Sequence, residues 1–212
     1  MTRPVHPRPL PGRPVSVAGI RLPDTAAAVA AERLCANVSA DVLYAHAARS
    51  FVFAVLLAQR EGVTLDEEAL YVGSILHDLG LTDTYRHPTT PFEYVSADVA
   101  RQFTAEQGWP ADRTDLVHRT IVLHMASEVG VGESAEARLL EAGVALDVTG
   151  HRLDELDPGK VRAVLLAYPR GPFVPEFSAL MSEEAHQKPD SAAAALVGSG
   201  LLTRIAQAPF YG

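Results

Sequence analysis

The chain has 212 residues, 48% of them hydrophobic and 21% charged, with 18 lysines and arginines set against 26 acids for a formal charge of −8. That is the composition of a globular domain able to bury a real core, and with no basic stripe to offset the acidity it speaks against a nucleic-acid partner. No uninterrupted apolar run approaches the ~18 residues of a membrane span, and the proline- and arginine-rich start lacks the continuous apolar stretch of a secretory signal. The expectation is therefore a cytoplasmic protein with a small-molecule substrate and no membrane partner. The single cysteine, Cys35, rules out an internal disulfide and reads as a packed, inert thiol.

In chain order, residues 1–20 read as a loose N-terminal arm and 21–212 as one helical domain with its core at about 40–190. Apolar spacing and stop signals predict helices over 24–37 and 39–61, the second opened by Ser39 and closed by Gly62. The next follows the cap Asp66, carries Glu67 and Glu68 in its first turn, and runs to about Asp78 before Gly80 ends it. Residues 81–91, with their proline and threonine clusters, must be a loop. Further helices are expected over 92–107, 111–126, 134–148, 158–167, 175–187 and 190–207. Alternating strand patterns are missing, so the predicted fold class is all-α, a compact helical bundle.

Chemistry concentrates on the inner faces of three of these helices. His46 lies on the apolar stripe of Leu43, Ala47, Ser50, Phe53, Ala54 and Leu57. His77-Asp78 ends the apolar run Leu70 to Leu76, where two adjacent ligands can grip one ion from different angles. Asp147 shares a face with Leu140, Gly143 and Val144, and a carboxylate on a core face is expensive to bury unless it pairs or binds metal. Taken singly each residue has a plain structural reading; together they give the order His…His-Asp…Asp. His124 sits in an amphipathic segment, as a pocket residue or a satisfied core histidine. Glu93 stands at a helix start, where an end charge is common. His87 lies in the proline-threonine loop. His118, His151 and His186 are expected to face elsewhere or outward, Asp83 to serve a turn, and Trp109 to anchor a connection.

This ligand order, with its flanks Tyr44-Ala45-His46-Ala47-Ala48-Arg49-Ser50 and Ile75-Leu76-His77-Asp78-Leu79-Gly80-Leu81-Thr82, resembles the HD superfamily of metal-dependent hydrolases. More narrowly it is similar to the cyanamide hydratase-like branch, through Pro91-Phe92-Glu93, residues 97–101, Thr120 to His124 and Ala142 to Gly150, with a weaker match at 172–177 and 188–189. The resemblance covers roughly residues 40–190 and implies an HD-type helical fold with a metal held by His46, His77, Asp78 and Asp147. It departs from the branch at Tyr94-Val95-Ser96, where relatives tend to have valine-aspartate-glycine, so the substrate does not carry over with the fold. Many HD phosphohydrolases have a lysine soon after the His-Asp pair, and this chain has none there. Binuclear relatives add a histidine on the next helix, also missing here, which points to one metal.

Mixed nitrogen and oxygen ligands suit one divalent ion, with zinc favoured by the resemblance and Fe2+ or Mn2+ as the other options. The implied reaction is addition of metal-activated water to a small cyanamide- or nitrile-like substrate. Asp78 would relay a proton, with His124 and Glu93 orienting substrate or shuttling protons, and Tyr44, Phe92 and His87 lining the substrate site, Phe51 beside them. The alternatives are an HD phosphohydrolase acting on a nucleotide or other phosphomonoester, with Arg49, Arg86 and Arg101 to meet the phosphate, and a non-catalytic ligand-binding module. A homodimer is compatible with the chain, docked through the arm or the C-terminal Ala208-Pro209-Phe210-Tyr211.

Overall fold

The structure, a computed structural model, describes residues 12–210. Residues 1–11 of the expected arm and Tyr211 lie outside the described residues. The rest of that arm is not loose. A short antiparallel hairpin, β1 (Ser16–Val17) and β2 (Ile20–Arg21), turns through Ala18 and Gly19, both at positive φ as a tight hairpin requires. Val17, Ile20 and Leu22 are buried beneath it. Arg13 is paired with the buried Glu32 and the Pro23 carbonyl. Sequence reading missed the hairpin because two-residue strands leave no alternating run to detect.

Everything else is helical. α1 (Ala26–Val38) is capped by Thr25, whose side chain accepts from the Ala28 amide. α2 (Asp41–Glu61) ends in left-handed Gly62 as expected, but it starts from Ala40, because Ser39 is already used to close α1 on the Cys35 carbonyl. By length and apolar composition α2 would pass for a membrane span, yet most of it is buried inside the protein, with His46, Arg49 and Ser50 fully enclosed. α3 (Glu67–Leu76) begins at Asp66, which accepts from Ala69 and is gripped by Arg113. α4 (Phe92–Glu106), α5 (Ala111–Leu123), α6 (Ala135–Thr149) and α7 (Pro158–Ala167) follow with short connections. α8 (Phe173–Gln187) begins at Phe173, two residues before the predicted start. The single helix expected over 190–207 is two, α9 (Ala192–Gly198) and α10 (Leu201–Ala206), because Gly200 at φ 90° breaks the run.

α2 forms the axis of the bundle and α6 lies closest along it. Gly143 permits this approach, since a Cβ there would stand 2.4 Å from the Ser50 carbonyl oxygen and 3.0 Å from Ala54. The contact sets Asp147, one turn further along α6, against His46 and Arg49. Cys35 is buried between α1 and the core, and burial pushes its thiol up to about 12, as expected of an inert packing residue.

Candidate metal centre

Three imidazoles meet at the centre of the bundle, two of them at helix ends. His77 closes α3 and His124 closes α5, each in the αR conformation. Each ring folds back on its own helix: His77 Nδ1–H donates to the Ser74 carbonyl at 2.6 Å, and His124 Nδ1–H to the Ile121 carbonyl at 2.5 Å. Both carbonyls lie in the last turn of their helix, and that of Ile121 also accepts from the His124 amide at 3.3 Å. A carbonyl oxygen can only accept, so Nδ1 carries the proton, and in the neutral ring Nε2 is a bare lone pair. Both rings are held neutral. Burial outweighs the attraction of Asp78 in lowering His77, and burial together with repulsion from His77 lowers His124 to about 3.

His46 is oriented the same way by a different acceptor. Its Nδ1 donates to Asp147 Oδ2 at 2.7 Å, leaving Nε2 directed inward. The two Nε2 atoms of His46 and His77 stand 3.3 Å apart. Asp78 Oδ2 lies 3.5 Å and 3.3 Å from them, and His124 Nε2 is 3.9 Å from Asp78 Oδ1. Asp78 Oδ2 is buried and has no hydrogen-bond partner among the described residues. Lone pairs facing one another around an orphaned carboxylate oxygen form a repulsive arrangement with no proton to relieve it, and one a cation would resolve. The donors fit a divalent ion: the ligand atoms of His46, His77 and Asp78 lie within 4.8 Å of one another. Every imidazole already has the outer hydrogen bond that metal-binding histidines use to fix their tautomer.

Asp147 does not join this cluster. Its carboxylate is taken by Arg49, Nε to Oδ1 at 2.7 Å and NH2 to Oδ2 at 2.8 Å, with Arg170 NH1 at 3.1 Å and His46 on the remaining side. Burial alone would raise its pKa, but the charge of Arg49 and the bonds from His46 and Arg49 hold it well below the ordinary carboxylate range. Asp147, expected from sequence as a ligand, is instead held by Arg49 and orients the His46 ring. The sequence signal for it was Arg49, a guanidinium on the same inner face as His46, which must find a buried anion.

The remaining predicted residues divide. Phe92 is buried with its ring 5.6 Å from that of His124, so it walls the cluster. Phe173 and Phe177, stacked on each other at 4.8 Å, cover His46 from the other side at 5.2 Å each. Glu93 is buried, but the charges it faces are Glu184 and Lys188; burial raises its pKa, and no hydrogen bond or ion pair joins it to the histidines. Tyr44 points away, donating to Glu32 at 2.5 Å and lining a separate cavity of about 820 Å³ with Tyr168 and Arg170. His87 is exposed and accepts from the Thr90 amide at 3.0 Å, holding its own loop rather than a substrate. Phe51 packs on Tyr71 in the core, at 4.8 Å between ring centres. These three were assigned from position along the chain, which does not show which way a side chain turns.

A cavity of about 240 Å³ reaches the cluster at His124, with Phe177, Met181, Val144 and Val148 on its walls and Glu141 as its carboxylate. The three arginines considered for phosphate binding are engaged elsewhere: Arg49 with Asp147, Arg86 with Glu183 at 2.7 Å, and Arg101 with Asp115 at 2.9 Å.

Comparison with known proteins agrees with this geometry. Cyanamide hydratase DDI2 and cyanamide hydratase DDI3 of Saccharomyces cerevisiae are each 28% identical to the chain over 149 residues, which is 68% of this chain and 66% of the yeast protein. The match thus spans about two thirds of the relatives' own length. The HD domain family matches residues 43–148, half of the 212-residue chain and the stretch that carries His46, His77, Asp78, His124 and Asp147. The chain belongs to the HD domain family.

Proposed function

We propose that the protein is a metal-dependent hydratase that adds water to a small cyanamide- or nitrile-like molecule. The observation that carries the metal half of this reading is the convergence of the His46 and His77 Nε2 lone pairs on the unpartnered Oδ2 of Asp78, with His124 Nε2 3.9 Å from Oδ1. His46, His77, Asp78 and His124 would hold one divalent ion, and a nitrogen-rich set of this kind suits zinc first, with iron or manganese next. Bound there with an open position, such an ion lowers the pKa of a water molecule from 15.7 toward about 7.

The protein's own residues do the rest. Asp147, braced by Arg49, keeps the His46 ring turned and its Nδ1 protonated. With Oδ2 turned to His46 and His77, Asp78 would have Oδ1 left to take a proton from the attacking water. Phe92, Phe173 and Phe177 exclude bulk solvent. The 240 Å³ cavity supports a substrate of a few heavy atoms, and the pairing of Arg49, Arg86 and Arg101 with carboxylates counts against a phosphomonoester. The yeast relatives support the same choice of substrate.

The test is urea formation from cyanamide, followed with ammonia release from small nitriles. Turnover that chelation abolishes and zinc restores is the expected result. A fully metal-loaded protein inert on both compound classes would contradict the substrate assignment while leaving the metal centre standing.

A further inference from the structure

α6 carries acids on two different faces. Asp147 turns toward α2, whereas Glu141 belongs with Val144, Ala145 and Val148, the helical row that lines the cavity ending at His124. Among the deeply buried acids, Glu32 is held by Arg13 and Tyr44, Glu184 by Lys188 and the Phe92 amide, and Asp147 by Arg49, while Asp78 Oδ2 and Glu93 Oε2 are left without a hydrogen-bond partner among the described residues. Glu141 is half-buried and makes no hydrogen bond or ion pair among the described residues. Arg138, one turn back, does not engage it, and Arg152 is committed to Glu61 at 2.7 Å and to Glu155 at 2.9 Å.

The other ionisable groups facing this cavity are His124 at its inner end and His151 and Arg204 at its exposed rim, where Arg204 donates to the Ser199 carbonyl at 2.8 Å. Burial pushes Glu141 up to about 7, and the more distant Arg152 opposes this only in part. At neutral pH this carboxyl is therefore available as a proton donor, and it shares the wall of a small, mostly apolar cavity with His124 of the cluster and with Phe177, whose ring packs on His46. Neither sequence position nor motif marks it, since its neighbours on α6 read as ordinary helix.

We infer that Glu141 is the acid that protonates the substrate nitrogen in this cavity, a role that rests on the hydratase reading above. As the water oxygen forms its bond to the electrophilic carbon, one carbon–nitrogen π bond breaks and its electron pair moves to nitrogen. Nitrogen takes the proton from Glu141, and the proton lost by water passes to Asp78. Exchange with solvent returns Asp78 and Glu141 to their starting states. For cyanamide the immediate product is the isourea tautomer, HN=C(OH)–NH2, which becomes urea when its hydroxyl proton moves to nitrogen. One water is consumed and the proton count is unchanged.

The experiment compares metal-loaded wild type, Glu141→Gln and Glu141→Asp on cyanamide across pH 5.5–9, with metal content measured on each sample. The expected result is equal metal in all three, a fall in kcat on the order of 100-fold in the glutamine variant, and loss of the limb in which wild-type activity declines above pH about 7. The aspartate variant keeps that limb at reduced kcat, because the proton is present but displaced by one methylene. Unchanged kcat and an unchanged basic limb in Glu141→Gln overturn the inference and leave the hydratase reading intact. An inert wild type overturns the hydratase reading, and this role with it. A readout without turnover uses metal-free protein: the carboxyl ionises near 4.5 unfolded and about 7 folded, so the Tm advantage of Glu141→Gln grows as pH rises through that window. A Tm difference flat across it also overturns the inference.

Discussion

A carboxylate gripped on one edge by a guanidinium and on the other by an imidazole has little freedom left, and that is the state of Asp147. Removing its charge leaves Arg49 buried without an anion and His46 without its strongest acceptor. Asp147→Asn is expected to lower stability by about 3–5 kcal/mol and to weaken metal affinity by roughly 10–100-fold, read by denaturant titration and by competition with a chelator. Complete loss of metal from a folded variant would instead make Asp147 a ligand. The histidines give a prediction in pH. His124 is lowered to about 3 from a usual 6.5, and His77 is lowered too, so the unfolded chain takes up protons that the folded chain refuses. Their contribution to stability is whole above pH about 6.5 and is lost as pH falls toward 3. The Tm of metal-free protein should therefore drop steadily between pH 7 and 5, and a flat profile there would mean the rings are not buried neutral. Much of this centre was legible from residues alone, because His46 and His77-Asp78 lie on apolar faces where polar groups need a reason. What was not legible was direction: a periodic pattern places Asp147 on the inner face without saying that Arg49 reaches it before a metal does.

At the scale of elements, the centre depends on two helix ends and one close helix contact. Ending α3 at Leu76 and α5 at Leu123 brings His77 and His124 into terminal turns where their rings can satisfy their own carbonyls. The helix expected to run to 126 stops instead at Leu123, where Ile121 O accepts both the His124 amide and its ring Nδ1–H. The α2–α6 contact has a single weak point. Gly143→Ala puts a methyl 2.4 Å from the Ser50 carbonyl, so α6 must back away from α2. The expected cost is about 1–3 kcal/mol, seen as a lowered Tm, with loosened metal binding because Asp147 moves with α6. A variant with wild-type stability and affinity would show that the approach is not constrained. Helix positions were readable because caps such as Asp66 and stops such as Gly62 act locally. The hairpin at 16–21 and the break at Gly200 depend on two residues and one residue at positive φ, a signal too brief for periodicity to register.

For the molecule as a whole, the helices position one cluster and leave one small chamber beside it. The C-terminal tail closes back on its own chain, with Phe210 against Arg170 at 4.2 Å and Pro209 over Gly150. Arg170 in turn donates to the Asp147 carbonyl and to its carboxylate, so the tail braces the outer side of the centre. A metal that binds only the folded state raises stability by mass action, about 2.7 kcal/mol at a free concentration 100 times Kd, so chelation should lower Tm and readdition restore it. The most direct test of the account is metal stoichiometry after equilibrium dialysis, measured in parallel on wild type, His124→Ala and Asp147→Asn. The account predicts about one divalent ion per wild-type chain, a large loss in His124→Ala, and a weakened but filled site in Asp147→Asn at saturating metal. No metal in the wild type after reconstitution, or full occupancy in His124→Ala with none in Asp147→Asn, would contradict it.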